Sequence, residues 1–255
     1  MPFTFSHIGF ILPIKKKWKS KFSITGLVFG SLAPDYDILF RLTNVRFHIF
    51  QYDIKTILFL IFPLALASAF AFHLFCRNII IDNLPAVYRL QYRQHTSFNF
   101  TSFLKKHFLR VSLSIIFAIL LHLFLDFMCH FLNAYQVKMF MLQFSDSDII
   151  ANVAYVFGIY GLPILFSLIG FYLIYKYEYH KHFSIKNLAI NKKQFLFWFT
   201  MVLFTILLSI LKFLITEVDH EFFIDFIIIS LTSSFLVAIY ANCLFYYIFQ
   251  KTKPI

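Results

Sequence analysis

The stretch Leu120-Leu-His-Leu-Phe-Leu-Asp-Phe-Met-Cys-His130 decides how the rest of the chain is read. It sets His122, Asp126 and His130 at four-residue spacing inside an otherwise apolar run from Val111 to Leu132. In an α-helix a step of four residues advances about 400° and about 6 Å, so the three side chains fall on one narrow stripe. The run is long enough to cross a bilayer, for which about 20 apolar residues suffice. Ionisable groups in such a segment are costly, face a bundle interior and mark a functional site by default. Two neutral imidazoles and a carboxylate suit a divalent metal, zinc above others. The same ladder also serves as hydrogen-bonded glue between helices. The helix alone leaves both readings open.

Composition widens the membrane reading to the whole chain. The 255 residues are 60% hydrophobic and 14% charged, with mean hydropathy +0.75, values that a water-soluble domain rarely reaches. Thirty-eight Phe and fourteen Tyr suit lipid-facing surfaces and interfacial belts. The net charge of +11 sits in short segments between apolar runs, with no nucleic-acid recognition motif. It reads as the positive-inside signature, and no nucleic-acid partner is expected. Cys76, Cys129 and Cys243 are scattered through apolar segments, which excludes a CxxC module and a disulfide framework.

The N-terminus holds two short apolar segments. The opening Met1-Pro-Phe-Thr-Phe-Ser-His7 has no basic region ahead of its apolar part and is not read as a signal peptide. Ser6 or Thr4 is a candidate helix cap, and Pro13 is expected to limit the first helix. Lys15, Lys16, Lys17, Lys19 and Lys21 follow. Phe22 to Ala33 forms the second segment, where Gly26 and Gly30 allow close helix packing. About twelve helical residues reach only about 18 Å against a hydrocarbon core of about 30 Å, so neither segment spans. A hairpin turning at the lysines returns His7 to the end where Pro34-Asp-Tyr-Asp37 lies. Asp35 and Asp37 then become candidate partners of His7, although Pro-Asp-Tyr-Asp also reads as an ordinary polar turn.

Five full spans are expected after the hairpin: Thr56–Cys76, Val111–Leu132, Ala151–Tyr175, Phe195–Ile215 and Phe222–Phe249. Pro63 is tolerated as a kink, and Lys212 is expected to snorkel from its span. Pro85–Arg93 suggests a short amphipathic interfacial helix, and His95 and His107 read as solvated loop residues. The fold class is thus an all-α polytopic transmembrane bundle. It forms a single integral membrane domain over 1–255, with a hairpin and acidic turn in 1–55 and a bundle in 56–249. Basic segments (Lys15–Lys21, Arg77–Arg110, Lys176–Lys193 and the C-terminus) alternate with poorly basic ones (Asn133–Ile150 and Glu217–Glu221). With basic loops cytoplasmic, Asp35, Asp37, His48 and the His130 end of the central helix share the non-cytoplasmic side. Asp219-His-Glu221 on that face reads as a solvated acidic turn or a cap on the site, and Asp225 as a helix–helix contact.

Three segments together carry a resemblance. Met1-Pro-Phe-Thr-x-Ser-His7, the Gly-x-x-x-Gly-Ser-x-Ala-Pro-Asp35 segment with Asp37, and Leu-x-His122-x-x-x-Asp126-x-x-x-His130 resemble the bacterial membrane-protein family catalogued as domain of unknown function 4184. The resemblance covers nearly the whole chain, in order. The pattern is distantly similar to the membrane-bound metal-dependent hydrolases and to a zinc-ligand helix of the phospholipase C and P1-nuclease group. That resemblance implies His7, Asp35, Asp37, His122, Asp126 and His130 as site positions. His48 matches a histidine that relatives carry before the first long span, without their flanking small residues.

These observations lead to the expectation of a membrane-bound zinc hydrolase acting on an ester or phosphodiester of a lipid-like substrate. It would lie in a bacterial inner membrane with its site toward the non-cytoplasmic face. His7, His122, Asp126 and His130 are expected as ligands, and Asp35 or Asp37 as ligand or general base. No Ser or Cys nucleophile motif is visible. A transporter or proton relay would use the same ionisable column as a pathway, and a structural protein would use it as glue.

Overall fold

The computed structural model describes residues 4–18, 20–36, 53–93, 96–131, 161–178, 191–215 and 223–252. Every regular element among them is helical. In chain order they are α1 (His7–Lys17), α2 (Ile24–Leu32), α3 (Ile54–Asn83), α4 (Ala86–Tyr92), α5 (Phe100–Lys106), α6 (Phe108–Phe131), α7 (Leu162–Glu178), α8 (Lys192–Ile215) and α9 (Phe223–Thr252). Short 3-10 turns, Thr4–Ser6 and Ala33–Tyr36, lead into α1 and out of α2.

Four of these helices are long and apolar enough to cross a membrane: α3, α6, α8 and the Ser230–Phe249 part of α9. The expected span Ala151–Tyr175 is represented by α7, whose seventeen residues are shorter than a full crossing; residues 151–160 lie outside the described residues. The span expected over Thr56–Cys76 continues to Asn83. Two wide turns of π type, Ile57–Ile61 and Phe72–Cys76, interrupt it. The first immediately precedes Phe62-Pro63. A proline ring collides with the carbonyl four residues back, and a widened turn relieves that collision without breaking the helix.

Pro13 does not limit α1, which runs through it to Lys17. The extra turn places three lysines at the negative end of the helix dipole, and Lys15 donates to the Phe22 carbonyl at 2.8 Å. Lys212 does not snorkel. It is buried in α8 and donates to Ser233 of α9. A hydroxyl on the neighbouring helix stands in for the water that snorkelling would have reached.

The chain divides into two compact units. The first comprises Met1–Pro34, Ile57–Leu66 and His107–Tyr179, and so contains α1, α2, α6 and α7. Here α1 and α2 form the expected hairpin. The Phe22 carbonyl at its turn also accepts from Arg110 at 2.9 Å, which ties the lysine-rich end to the start of α6. From there α2 and α6 run in parallel register. The Ser23 N–H donates to Ser114 Oγ at 2.8 Å. A Cβ added to Gly26 would meet the Val111 carbonyl at 2.7 Å, and one on Gly30 would meet the Ile115 Cα at 2.8 Å. In lipid, where helices associate through close backbone packing, such glycines are the contact. The arms of the hairpin and α6 share a core of Ile11, Leu27 and Ala118, with Phe22, Phe117 and Leu121 against it. On its other side α1 lies on α7, Gly9 facing Gly170 so closely that neither admits a side chain.

The second unit comprises Asp35–Thr56, Ala67–Lys106 and His180–Ile255. Its core gathers Cys76, Ile79, Phe197 and Cys243 from α3, α8 and α9. Buried polar groups there are answered locally. Asn242 donates to the Phe197 carbonyl at 3.1 Å, and the Trp198 indole donates to the Asn83 carbonyl at 2.8 Å. Gln194 and Asn191 cap α8 reciprocally, each side chain accepting from the other's backbone N–H. Tyr36 shares a 2.8 Å hydrogen bond with Ser68. Burial pushes its phenol up to about 12, the Ser68 contact offsetting part of the rise.

Candidate metal centre

The parallel register of α2 and α6 carries a buried cluster. Four residues separate His122 from Asp126, which puts both on the stripe of α6 that faces the hairpin. His7, the first residue of α1, arrives there because the hairpin turn returns that end to the same level. All three side chains are buried. The His7 and His122 rings stack with centroids 4.0 Å apart and planes 20° from parallel. His7 Nε2 lies 3.8 Å from Asp126 Oδ1, and His122 Nε2 lies 3.4 Å from Asp126 Oδ2. One ligand atom from each residue falls within 4.8 Å of the others, and such atoms can hold a metal ion.

The tautomer of His122 is set by its other nitrogen. Nδ1 lies 2.7 Å from the Ser31 carbonyl, which can only accept, so Nδ1 carries the proton. Ser31 is the penultimate residue of α2, where carbonyls run out of intrahelical donors. Pro34, three residues on, has no N–H to give back to it. The end of α2 thus supplies a backbone acceptor together with the negative end of its dipole. In the neutral ring Nε2 then presents a lone pair toward the Asp126 carboxylate. Two electron-rich atoms at that separation in a buried setting repel, and a cation between them turns repulsion into ligation. A carbonyl bond that orients a ligating imidazole is the usual support of a metal-bound histidine.

Of the residues singled out from sequence, the structure brings together His7, His122 and Asp126. Asp35 is buried in the turn that continues α2 and falls within the second unit. His130 lies on the last turn of α6, one turn beyond Asp126, and its side chain is outside the described residues. Asp37, His48, His95 and the Glu217–Glu221 segment are likewise outside them, as is the Asp225 side chain. His107 stands just before α6 and is half-buried. The role of Ser31 was missed, because a backbone carbonyl leaves no residue-type signal. The proline three positions later is the trace that could have exposed it.

The fold and cluster define a class: an α-helical protein with membrane-spanning helices and a buried His-His-Asp group beside a short N-terminal hairpin. The chain matches the family described as Domain of unknown function (DUF4184) over residues 1–245, and it belongs to that family. No curated protein and no solved structure matches it.

Proposed function

We propose that this protein is a membrane-bound, metal-dependent hydrolase whose centre is built on His7, His122 and Asp126. The observation that carries the reading is the orientation of His122. Its Nδ1 proton is committed to the Ser31 carbonyl, and in the neutral ring Nε2 then offers a lone pair beside a carboxylate and a second imidazole. Two imidazoles and one carboxylate are a zinc donor set. Three protein ligands leave a fourth position open, as catalytic zinc sites require. When bound, such an ion brings the pKa of a coordinated water to about 7 and supplies positive charge to an oxyanion.

The chain's own residues would then do the rest. His7 and His122 orient their Nε2 atoms. Asp126 neutralises charge, and the apolar walls of α1, α2 and α6 keep bulk water out. Asp35 or Asp37 would accept the proton of an attacking water. The absence of a nucleophile motif favours activated water over an acyl-enzyme. The substrate class we assign is an ester or phosphodiester of a lipid-like molecule, since such a substrate reaches a site among membrane helices by lateral diffusion. By the positive-inside rule the centre faces the non-cytoplasmic side of a bacterial inner membrane.

Metal analysis of protein purified in detergent from zinc-supplemented cells tests the proposal. About one zinc per chain is expected, with most of it lost in His122→Ala and none lost in His107→Ala. Equal content in the two variants, or metal-free wild type, defeats it. Metal-free wild type would leave a proton shared by His122 and Asp126, and with it a proton relay.

A further inference from the structure

A second polar site lies in the other unit, centred on Arg77 near the end of α3. Arg77 is only 9% exposed. Its Nη1 donates to the Phe98 carbonyl at 2.6 Å, its Nη2 to the Thr96 carbonyl at 2.9 Å and its Nε to Asn78 Oδ1 at 3.0 Å. Nη1 also lies 3.2 Å from His73 Nδ1. Two carbonyls, an amide and an imidazole surround the guanidinium. Among the described residues no carboxylate pairs with it. Neutral acceptors soften the cost of burying a charge but do not cancel it, and a buried cation calls for an anion.

The space for one is adjacent. Arg77 lines a cavity of about 340 Å³ together with Phe70 and Leu74 on α3, Ser97 and Asn99 ahead of α5 and Thr101 within it. The wall is graded. Phe70, Leu74 and Arg77 all reach it from α3. The apolar end leaves Leu74 60% exposed on a helix long enough to cross a membrane. The Arg77 end carries the guanidinium, with the hydroxyls of Ser97 and Thr101 and the Asn99 amide interleaved with Phe98 and Phe100. Lys105 and Lys106 stand in the last turn of α5. An occupant that is anionic at one end and hydrocarbon at the other fits both ends of this wall. A free anion would use only one.

We infer that this cavity is a binding site for an anionic glycerophospholipid, with its phosphate against Arg77 and an acyl chain along Leu74 and Phe70. With most of its N–H donors held by protein acceptors, Arg77 offers a phosphate its permanent charge and a remaining Nη2 N–H, and basic pockets among membrane helices are common seats of anionic headgroups. The inference does not depend on the metal centre.

Native mass spectrometry of the full chain in detergent, with equal amounts of phosphatidylglycerol and phosphatidylcholine, tests it. Wild type should retain phosphatidylglycerol at least tenfold over phosphatidylcholine, and millimolar inorganic phosphate should not displace it. Arg77→Gln should abolish the preference and Arg77→Lys should keep part of it. Ser97→Trp obstructs the cavity while leaving the guanidinium in place, and it should also lose the lipid; it decides the matter if Arg77→Gln fails to fold. No preference in wild type, a preference that survives Ser97→Trp, or displacement by inorganic phosphate would overturn the inference.

Discussion

Asp126 is the residue on which the charge balance of the cluster turns. It faces both imidazoles from one carboxylate, so its replacement separates shape from charge. Asp126→Asn keeps the volume and offers an amide where a ligand anion stood. It should bind at least tenfold less zinc than wild type while the protein remains folded, read as metal content alongside a melting curve. Retained zinc would show that Asp126 is packing. Asp35 and Asp37 pose a different question, because a base can be removed without losing the ion. General-base loss typically costs about 10²–10⁴-fold in rate. Paired metal content and turnover on lipid phosphodiesters should therefore split Asp35→Asn from Asp37→Asn. The expected outcome is that the variant at the base keeps its metal but loses activity, while the other keeps both. Full metal and activity in both would reduce the acidic pair to a turn. That His122 and Asp126 lie together was legible in the sequence, because their four-residue spacing inside an apolar run sets them on one stripe. What orients His122 was not, since it is the backbone carbonyl of Ser31.

At the scale of the helix, the α2–α6 seam is set by two glycines. A Cβ on Gly30 would meet the Ile115 carbonyl oxygen at 2.5 Å and its Cα at 2.8 Å, both of them backbone that cannot rotate away. Gly30→Ala must push the helices apart, with an overpacking cost of about 1–3 kcal/mol. Because Ser31 is the next residue, the shift also draws its carbonyl from His122. We expect a lower melting temperature and reduced zinc together; unchanged values for both would refute the seam. The beginning of α3 offers a pH test. Asp53 is exposed and accepts from the Thr56 N–H at 2.9 Å, and these contacts with Thr56 hold its carboxyl below the usual range. A depressed folded-state pKa stabilises above the unfolded value of about 3.9 and loses that effect as pH falls through the folded value. Amide exchange at Ile54–Ile57 should therefore accelerate relative to the helix centre below about pH 4, and Asp53→Asn should remove the pH dependence. The Gly26–Gly30 spacing announced its seam beforehand. Gly9 against Gly170 did not, because a lone glycine on each of two distant helices leaves no spacing to read. Pro13 misled for a related reason: one lost hydrogen bond counts for less than a further turn anchored by Lys15.

For the whole molecule, the alternation of basic and poorly basic segments predicts an orientation that labelling can read. Cysteine labelling in intact cells should modify Ser145→Cys and spare Gln91→Cys; the reverse pattern would invert the topology. The long spans were legible because hydropathy over about 20 residues averages out local irregularity. Their ends were less so. Arg77 reads as the start of a loop when only its charge is weighed, whereas carbonyls brought from Phe98 and Thr96 keep it inside the helix.

The parallel pairing of α2 with α6 also has a clock in it. Ser23 and Ser114 meet across 91 residues of chain. At about 5–20 residues per second of synthesis, the hairpin emerges roughly 5–20 s before the helix that receives it. During that interval two arms too short to cross a bilayer lack the helix that receives them, and they must wait at the membrane surface or on a chaperone. Nascent chains stalled before residue 114 should leave residues 7–32 open to protease, and chains long enough to expose all of α6 should protect them. The delay belongs to the order of elements along the chain, and a circular permutant that begins at α6 would remove it.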